Sequence, residues 1–180
     1  MKLETERLVL RNWQESDANH YYILGNDVGY NCFSRPGYYL ARNMEEASAK
    51  VRERMLLFDQ SKLGKFPIFL RATGELAGTC GLGPFEMDGR AEVELGYRLC
   101  LKFWGQGYAS EAAAAMLGYG FGDLKAVRIM AFAVPQNKAS LRVLEKLGFA
   151  YLRDFLHAEI PHCLYELSRS CFNAERIYGH

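Results

Sequence analysis

The chain has 180 residues, 49% of them hydrophobic with 11 Tyr and 11 Phe, which suits one domain over residues 1–180 with a proper core and excludes disorder. A formal net charge of +1 supplies no general pull toward nucleic acid or an anionic membrane, and no apolar run approaches a membrane span. Five scattered cysteines (Cys32, Cys80, Cys100, Cys163, Cys171) without a CxxC pair, and four histidines without ligand spacing, point away from a metal site and a cysteine nucleophile.

The odd number of thiols, with an N-terminus that enters charged, strand-like sequence without a leader, fits a reducing cytoplasm. Residues 7–13 alternate as a first strand, and Ser16 can cap a short helix containing Tyr21, Tyr22, Ile23 and Leu24. Residues 25–42 read as loop, with Gly29, Pro36 and Gly37 among Tyr30, Phe33, Tyr38 and Tyr39. Asn43-Met44-Glu45-Glu46 is a capping-box signature opening a helix to about Phe58. Strands follow over 66–72 and 75–85, separated by Thr73-Gly74, and Met87-Asp88-Gly89 turns the chain into a strand over 91–101. That strand belongs at the centre of the sheet. Residues 127–135 form another, closed by Pro135; Asn137 caps a helix that Gly148 ends; residues 151–155 and 163–168 supply the last two strands. The expected fold is an α/β (α+β) domain: a mixed, mostly antiparallel sheet of about seven strands flanked by helices.

Two motifs carry chemistry. Lys102-Phe103-Trp104-Gly105-Gln106-Gly107-Tyr108-Ala109-Ser110-Glu111 is a glycine-pinned loop running into a helix. Its bare amides and helix N-terminus suit phosphate or pyrophosphate, although two glycines alone also describe a plain tight turn. Downstream, Asn137-Lys138-Ala139-Ser140-Leu141-Arg142-Val143-Leu144-Glu145-Lys146-Leu147-Gly148-Phe149 places Asn137, Ser140 and Leu144 on one helical stripe. Glycine loop, strand and this second helix together resemble the GNAT superfamily of acetyl-CoA-dependent N-acetyltransferases. The wording from Phe103 to Ala112, with the opening Leu3-Glu4-Thr5-Glu6-Arg7-Leu8-Val9-Leu10-Arg11, is most similar to its ribosomal-protein alanine acetyltransferase branch.

The resemblance implies acetyl-CoA as cosubstrate, with no metal. The pyrophosphate would meet the amides of Gly105, Gln106, Gly107, Tyr108, Ala109 and Ser110. Oxyanion donors would come from Leu99, Cys100 and Leu101, and Asn137 would bind the pantetheine arm. On the central strand Glu92, Glu94, Gly96 and Arg98 share a face by alternation, which does not separate the two carboxylates. The resemblance selects Glu94, at the head of Glu-Leu-Gly-Tyr, as the base that deprotonates the attacking ammonium. Two positions depart from the family pattern. Lys102 stands where Arg or Gln is common, and Leu144 where a tyrosine often protonates the leaving thiolate. Ser140 is the available hydroxyl and Tyr165 another; a thiolate of ordinary pKa can also leave unassisted.

The implied partner is a primary amine, of a small molecule or a protein N-terminus, with no membrane or direct nucleic-acid contact, and a homodimer is compatible with the reading. Tyr21, Tyr22, Tyr30, Phe33, Tyr38 and Tyr39 are either an aromatic cage for a cationic amine or ordinary core. The alternative function is a catalytically silent acyl-CoA-binding sensor or scaffold, which Leu144 keeps open.

Overall fold

The computed structural model describes residues 1–34 and 40–172. Its strands are β1 (Lys2–Glu4), β2 (Leu8–Arg11), β3 (Gly64–Leu70), β4 (Leu76–Met87), β5 (Arg90–Leu99), β6 (Arg128–Ala133), β7 (Ala150–His157) and β8 (Ile160–Ser168). The helices are α1 (Ala18–Asn26), α2 (Val28–Asn31), α3 (Met44–Ser61), α4 (Tyr108–Gly122) and α5 (Lys138–Lys146). One eight-stranded sheet runs in the order β1-β2-β3-β4-β5-β6-β8-β7. It has one strand more than the alternation suggested, because residues 1–13 fold as a short antiparallel pair rather than a single strand. Ser16 does not cap α1: it lies inside a 3-10 turn over Glu15–Asp17, and Asp17 takes the N-cap position.

Local signals set most boundaries. Asn43 caps α3 by accepting the Glu46 N–H at 2.8 Å, and the helix runs to a left-handed Lys62. Asp88 and Gly89, both at positive φ, close the β4–β5 hairpin, a backbone that matches strand twist. Gly148, at φ 89°, ends the turn after α5.

Two sheet properties position the site. Every pairing is antiparallel except β5–β6, which are parallel and held together only at Glu94–Met130 and Leu95–Ala131. Beyond those pairs the strands diverge, leaving a gap at their C-terminal ends. The two faces also carry different loads. Phe66, Cys80, Leu82, Leu95 and Ile129 are buried on the face that α4 covers, where Gly120 lies so close to Ile129 and Leu82 that a Cβ would collide with both. The opposite face carries Lys65, Thr79, Gly81, Glu94 and Gly96, read from the cross-strand partners. There α2 covers Thr79 through the Tyr30 hydroxyl, 2.8 Å from Thr79 Oγ1. Farther along that face Phe85, Met87, Met130, Phe132, Phe155 and Leu164 form a separate apolar cluster.

Candidate active site

The anion-binding end is built from backbone. Gly105 and Gly107 both adopt positive φ, at 73° and 82°, and Gly107 sits at the N-cap of α4 with no side chain capping the helix. The first N–H groups of α4 are therefore left for a ligand, at the positive end of the helix dipole. Arg7 holds this loop. Its Nε donates to Glu111 Oε2 at 2.7 Å, its Nη1 to Gln106 O at 2.9 Å, and its guanidinium lies 4.6 Å above the Tyr108 ring. Glu111 also accepts from Thr5 Oγ1 at 2.5 Å and from the Arg7 N–H at 2.9 Å. Burial pushes the Glu111 carboxyl up, but these hydrogen bonds outweigh it and hold the group below its ordinary value. Lys102 is drawn away from the loop into an ion pair with Glu75.

The edge of β5 turns two amides toward the gap. Cys100 N–H donates to Ala77 O at 2.9 Å and Leu101 N–H to Asp27 Oδ1 at 3.1 Å, so neither is available as an oxyanion donor. The β4–β5 register is unbroken. Given the alternation of an antiparallel ladder, the N–H groups of Tyr97 and Leu99 then point away from β4, into the gap. Of the three residues expected as donors, Leu99 keeps the geometry, and Tyr97 joins it.

Across the gap, α5 contributes Asn137, which caps the helix by accepting the Ser140 N–H at 3.1 Å. Ser140 Oγ lies 3.0 Å from the Tyr97 hydroxyl, which also donates to Ser140 O at 3.1 Å. Either hydroxyl can be the donor in the Ser140–Tyr97 contact. Burial raises the Tyr97 pKa well above that of an ordinary phenol, so it stays protonated. Leu144 is buried one turn farther along the same stripe. Tyr165 is elsewhere: it is buried, on the opposite sheet face from Glu94, with its hydroxyl 3.5 Å from Glu145 Oε1. It does not line the cavity described below, whereas Ser140 and Tyr97 do. Burial pushes the Cys100 thiol up to about 11, which keeps it a protonated bystander.

The carboxylates that alternation could not separate have different surroundings. Arg128 Nε donates to both oxygens of Glu92 at 3.1 Å, and Arg128 also reaches Glu166 at 3.3 Å. That guanidinium holds Glu92 below its ordinary pKa in a structural network. Glu94 lies in the cavity wall and pairs with Lys65, whose Nζ is 2.8 Å from Oε2. Lys65 Nζ also donates to Gly81 O at 3.2 Å and to Glu94 O at 3.3 Å. The pair fits because residue 96 has no side chain: a Cβ on Gly96 would come within 2.5 Å of Lys65 Nζ and 2.8 Å of Glu94 Oε1.

Lys65, Tyr97, Arg7 and His157 were not singled out from sequence. Of these, Arg7 lay in the quoted opening motif and Tyr97 at the end of Glu-Leu-Gly-Tyr, but none carries a local pattern that marks it. The expected aromatics divide. Tyr21 packs edge-on to Trp13 at 5.3 Å, Tyr30 is committed to Thr79, and Phe33 stacks on Trp104 at 6.4 Å. All three line the cavity, whereas Tyr22 is half-buried against the core. Tyr38 and Tyr39 lie outside the described residues.

These groups share one cavity of about 830 Å³, which reaches from Gly105–Ser110 past Tyr97, Asn137 and Ser140 to Glu94, Lys65, His157 and His162. No group of His, Cys, Asp and Glu suited to a metal ion occurs among the described residues, and no described helix is long and apolar enough to cross a membrane.

The family model for the acetyltransferase (GNAT) domain matches residues 7–150. An uncharacterized N-acetyltransferase, p20 of Bacillus licheniformis, is 33% identical over 167 residues, covering 87% of this chain and 88% of that one. The protein YkkB of Bacillus subtilis is 40% identical over 96 residues; that match spans about half of each protein, 53% and 56%. Among solved structures, RimJ of Mycobacterium smegmatis in complex with CoA-disulfide superposes with a TM-score of 0.81 at 19% identity, covering 99% of this chain and 92% of that one. The fold is thus shared with a member of the branch that the opening strand and glycine loop resemble.

Proposed function

The chain belongs to the GNAT acetyltransferase family, and on that premise we propose that this N-acetyltransferase takes acetyl-CoA into the gap between β5 and β6 and passes the acetyl group directly to a primary amine. The acceptor is a small molecule or a protein or peptide N-terminus. The observation that carries this is the continuity of the cavity. One volume holds an uncapped helix N-terminus at one end and a carboxylate facing the space for an amine at the other.

Each group then has a task. The amides of Gly105 to Ser110 bind pyrophosphate, and Asn137 binds the pantetheine arm through its amide N–H, its oxygen being committed to the cap. The N–H groups of Tyr97 and Leu99 stabilise the oxyanion that forms on the thioester carbonyl. Ser140 and Tyr97, joined by a hydrogen bond, offer a hydroxyl to the departing sulfur where Leu144 cannot. Glu94, the carboxylate that lines the cavity, supplies the negative charge that draws in an ammonium, whose proton must leave before the nitrogen can attack. Removing that proton is worth about 10²–10⁴-fold in rate, because an ammonium has no lone pair.

Release of free CoA from acetyl-CoA, measured across a panel of small amines and peptides with free N-termini, tests this reading. Amine-dependent release with an acetylated product by mass spectrometry is the expected result. Tight acetyl-CoA binding with no transfer to any amine would refute it and leave the silent binding module. The Ser140–Tyr97 pair weighs against that module, since it supplies the hydroxyl whose absence at Leu144 kept it open.

A further inference from the structure

Glu94 is not a free carboxylate. One oxygen is bound to the Lys65 ammonium at 2.8 Å, and the same ammonium also binds the Glu94 carbonyl. An amine that enters here meets a carboxylate already engaged by Lys65, so the other groups facing Glu94 become the question.

The tip of the β7–β8 hairpin supplies one. Arg153, Phe155 and His157 share the sheet face of Phe132 and Glu94, by way of the pairs Arg153–Leu164, Phe132–Leu164 and Glu94–Met130. The His157 ring lies 4.8 Å from the Phe132 ring and 6.2 Å from the Phe85 ring. Those phenylalanines sit on β6 and β4, the two strands that flank β5, so the imidazole hangs over β5 beside Glu94. Ala158 and Glu159, which close the hairpin immediately after His157, both adopt positive φ at 49° and 65°. A two-residue hairpin needs that backbone at both central positions, which fixes His157 as the last residue of β7 before the turn.

His157 and His162 both line the cavity, their rings edge to face at 5.7 Å. The Nδ1 of His162 donates to Ile160 O at 2.8 Å, which fixes its ring beside that of His157. His157 makes ring contacts among the described residues but no hydrogen bond, which leaves both its nitrogens for a water or an amine.

We propose that His157 is a further catalytic residue, the group that takes the proton from the acceptor's ammonium, with Glu94 as counter-charge and His162 as its outlet toward solvent. The proposal rests on the amine-acetylation reading above. The proton passes from nitrogen to His157, and the freed lone pair attacks the thioester carbonyl. The tetrahedral intermediate collapses with loss of the thiolate. The second nitrogen proton goes to the sulfur by way of the Ser140–Tyr97 hydroxyls, giving amide and free CoA thiol. The imidazolium then loses its proton to water, so that each turnover releases one proton.

The titratable and charged groups facing His157 are Glu94 with its partner Lys65 on the sheet, and His162 on β8; Arg153 on its own strand is bound to Asp88 at 2.8 Å, and Glu92 to Arg128. Desolvation against the aromatic rings, then His162, hold the His157 pKa below that of an ordinary imidazole, and Glu94 works in the opposite direction. The neutral, proton-accepting form is therefore present at neutral pH.

The test is the pH dependence of kcat for wild type, His157→Gln, His157→Asn and Glu94→Gln, with an amine that the wild type acetylates and with acetyl-CoA affinity measured alongside. Either His157 variant should lose about 10²-fold in kcat with unchanged acetyl-CoA affinity, and its residual rate should climb with pH toward the pKa of the free amine. Glu94→Gln should keep the acidic limb and move it to lower pH, because the group that raises the His157 pKa is gone. A His157 variant that retains the wild-type limb, or a Glu94→Gln enzyme that loses it, overturns the proposal and returns the proton to the carboxylate. A wild type that acetylates no amine refutes the underlying reading, and this one with it.

Discussion

Gly81 and Gly96 are cross-strand partners on the same face, yet replacing each with alanine should have different consequences. On Gly96 a Cβ meets Lys65 Nζ at 2.5 Å and Glu94 Oε1 at 2.8 Å, the far ends of two flexible side chains. They can swing aside, at the cost of their ion pair. That pair is only partly sheltered, with side-chain exposures of 30% for Lys65 and 16% for Glu94, so the loss is about 1 kcal/mol. On Gly81 a Cβ would stand 1.9 Å from Gly64 O and 2.7 Å from Lys65 Cα. Those are backbone atoms of β3, and making room means separating two strands over more than an ångström and losing ladder hydrogen bonds. This belongs at or above the upper end of overpacking costs, about 3 kcal/mol. For a chain of this length 1 kcal/mol corresponds to about 2–4 °C in Tm. Gly96→Ala should therefore melt about 2–4 °C below wild type and Gly81→Ala about 6–12 °C below it. Only Gly96→Ala should be a well-folded protein whose acetyl transfer is impaired while its acetyl-CoA affinity is not. Thermal melts followed by calorimetric titration with acetyl-CoA read both quantities. If Gly81→Ala melts no lower than Gly96→Ala, the distinction between backbone and side-chain neighbours is wrong here.

At the other end of the cavity, Gly107→Val puts a β-branched residue at φ 82° with its Cβ 3.3 Å from the Arg7 guanidinium; acetyl-CoA affinity by calorimetry should fall at least tenfold in a folded protein, and unchanged affinity would remove the glycine loop from the site. Glu111→Gln should lower Tm by about 2–4 °C at pH 7 through loss of the charged contacts to Arg7, a contribution of about 1 kcal/mol. Because the folded-state pKa of Glu111 lies below the ordinary 4.5, its stabilisation is complete above that value and disappears as pH falls through the folded pKa; the two melting curves should converge in acid, and a difference that persists there would contradict the assignment. Ser140→Ala and Tyr97→Phe each break the hydroxyl pair, so either should slow single-turnover acetyl transfer by about tenfold or more while leaving acetyl-CoA bound, and wild-type kinetics in both would mean that the thiolate departs unaided.

The parts of this molecule legible in its sequence are those decided within a few residues. Asn43 and Asn137 cap helices by accepting the N–H three positions on, and Asp88-Gly89 forces a hairpin by its own backbone preference. The alternation of β5 displays its two faces because a strand turns each side chain over at every step. The extra N-terminal strand was missed for the complementary reason: Lys2–Glu4 is too short and too polar for any period, and it is a strand only because Leu8–Arg11 lies beside it.

The site resists reading because its decisive contacts are long in sequence and depend on register. Lys65 reaches Glu94 across 29 residues, and Arg7 reaches Glu111 across 104. Nothing near Lys65 marks it as different from the chain's other lysines until Gly81 and Gly96 are aligned beside it. A shift of β3 by one residue would turn Lys65 to the opposite face and leave Glu94 unpaired. The same holds for Glu92 and Glu94, identical in pattern and two positions apart. What separates them is that Arg128 stands opposite one and an open cavity opposite the other. Chemical role in this fold is therefore assigned by strand neighbours, and residue type becomes informative about catalysis only after the register is known.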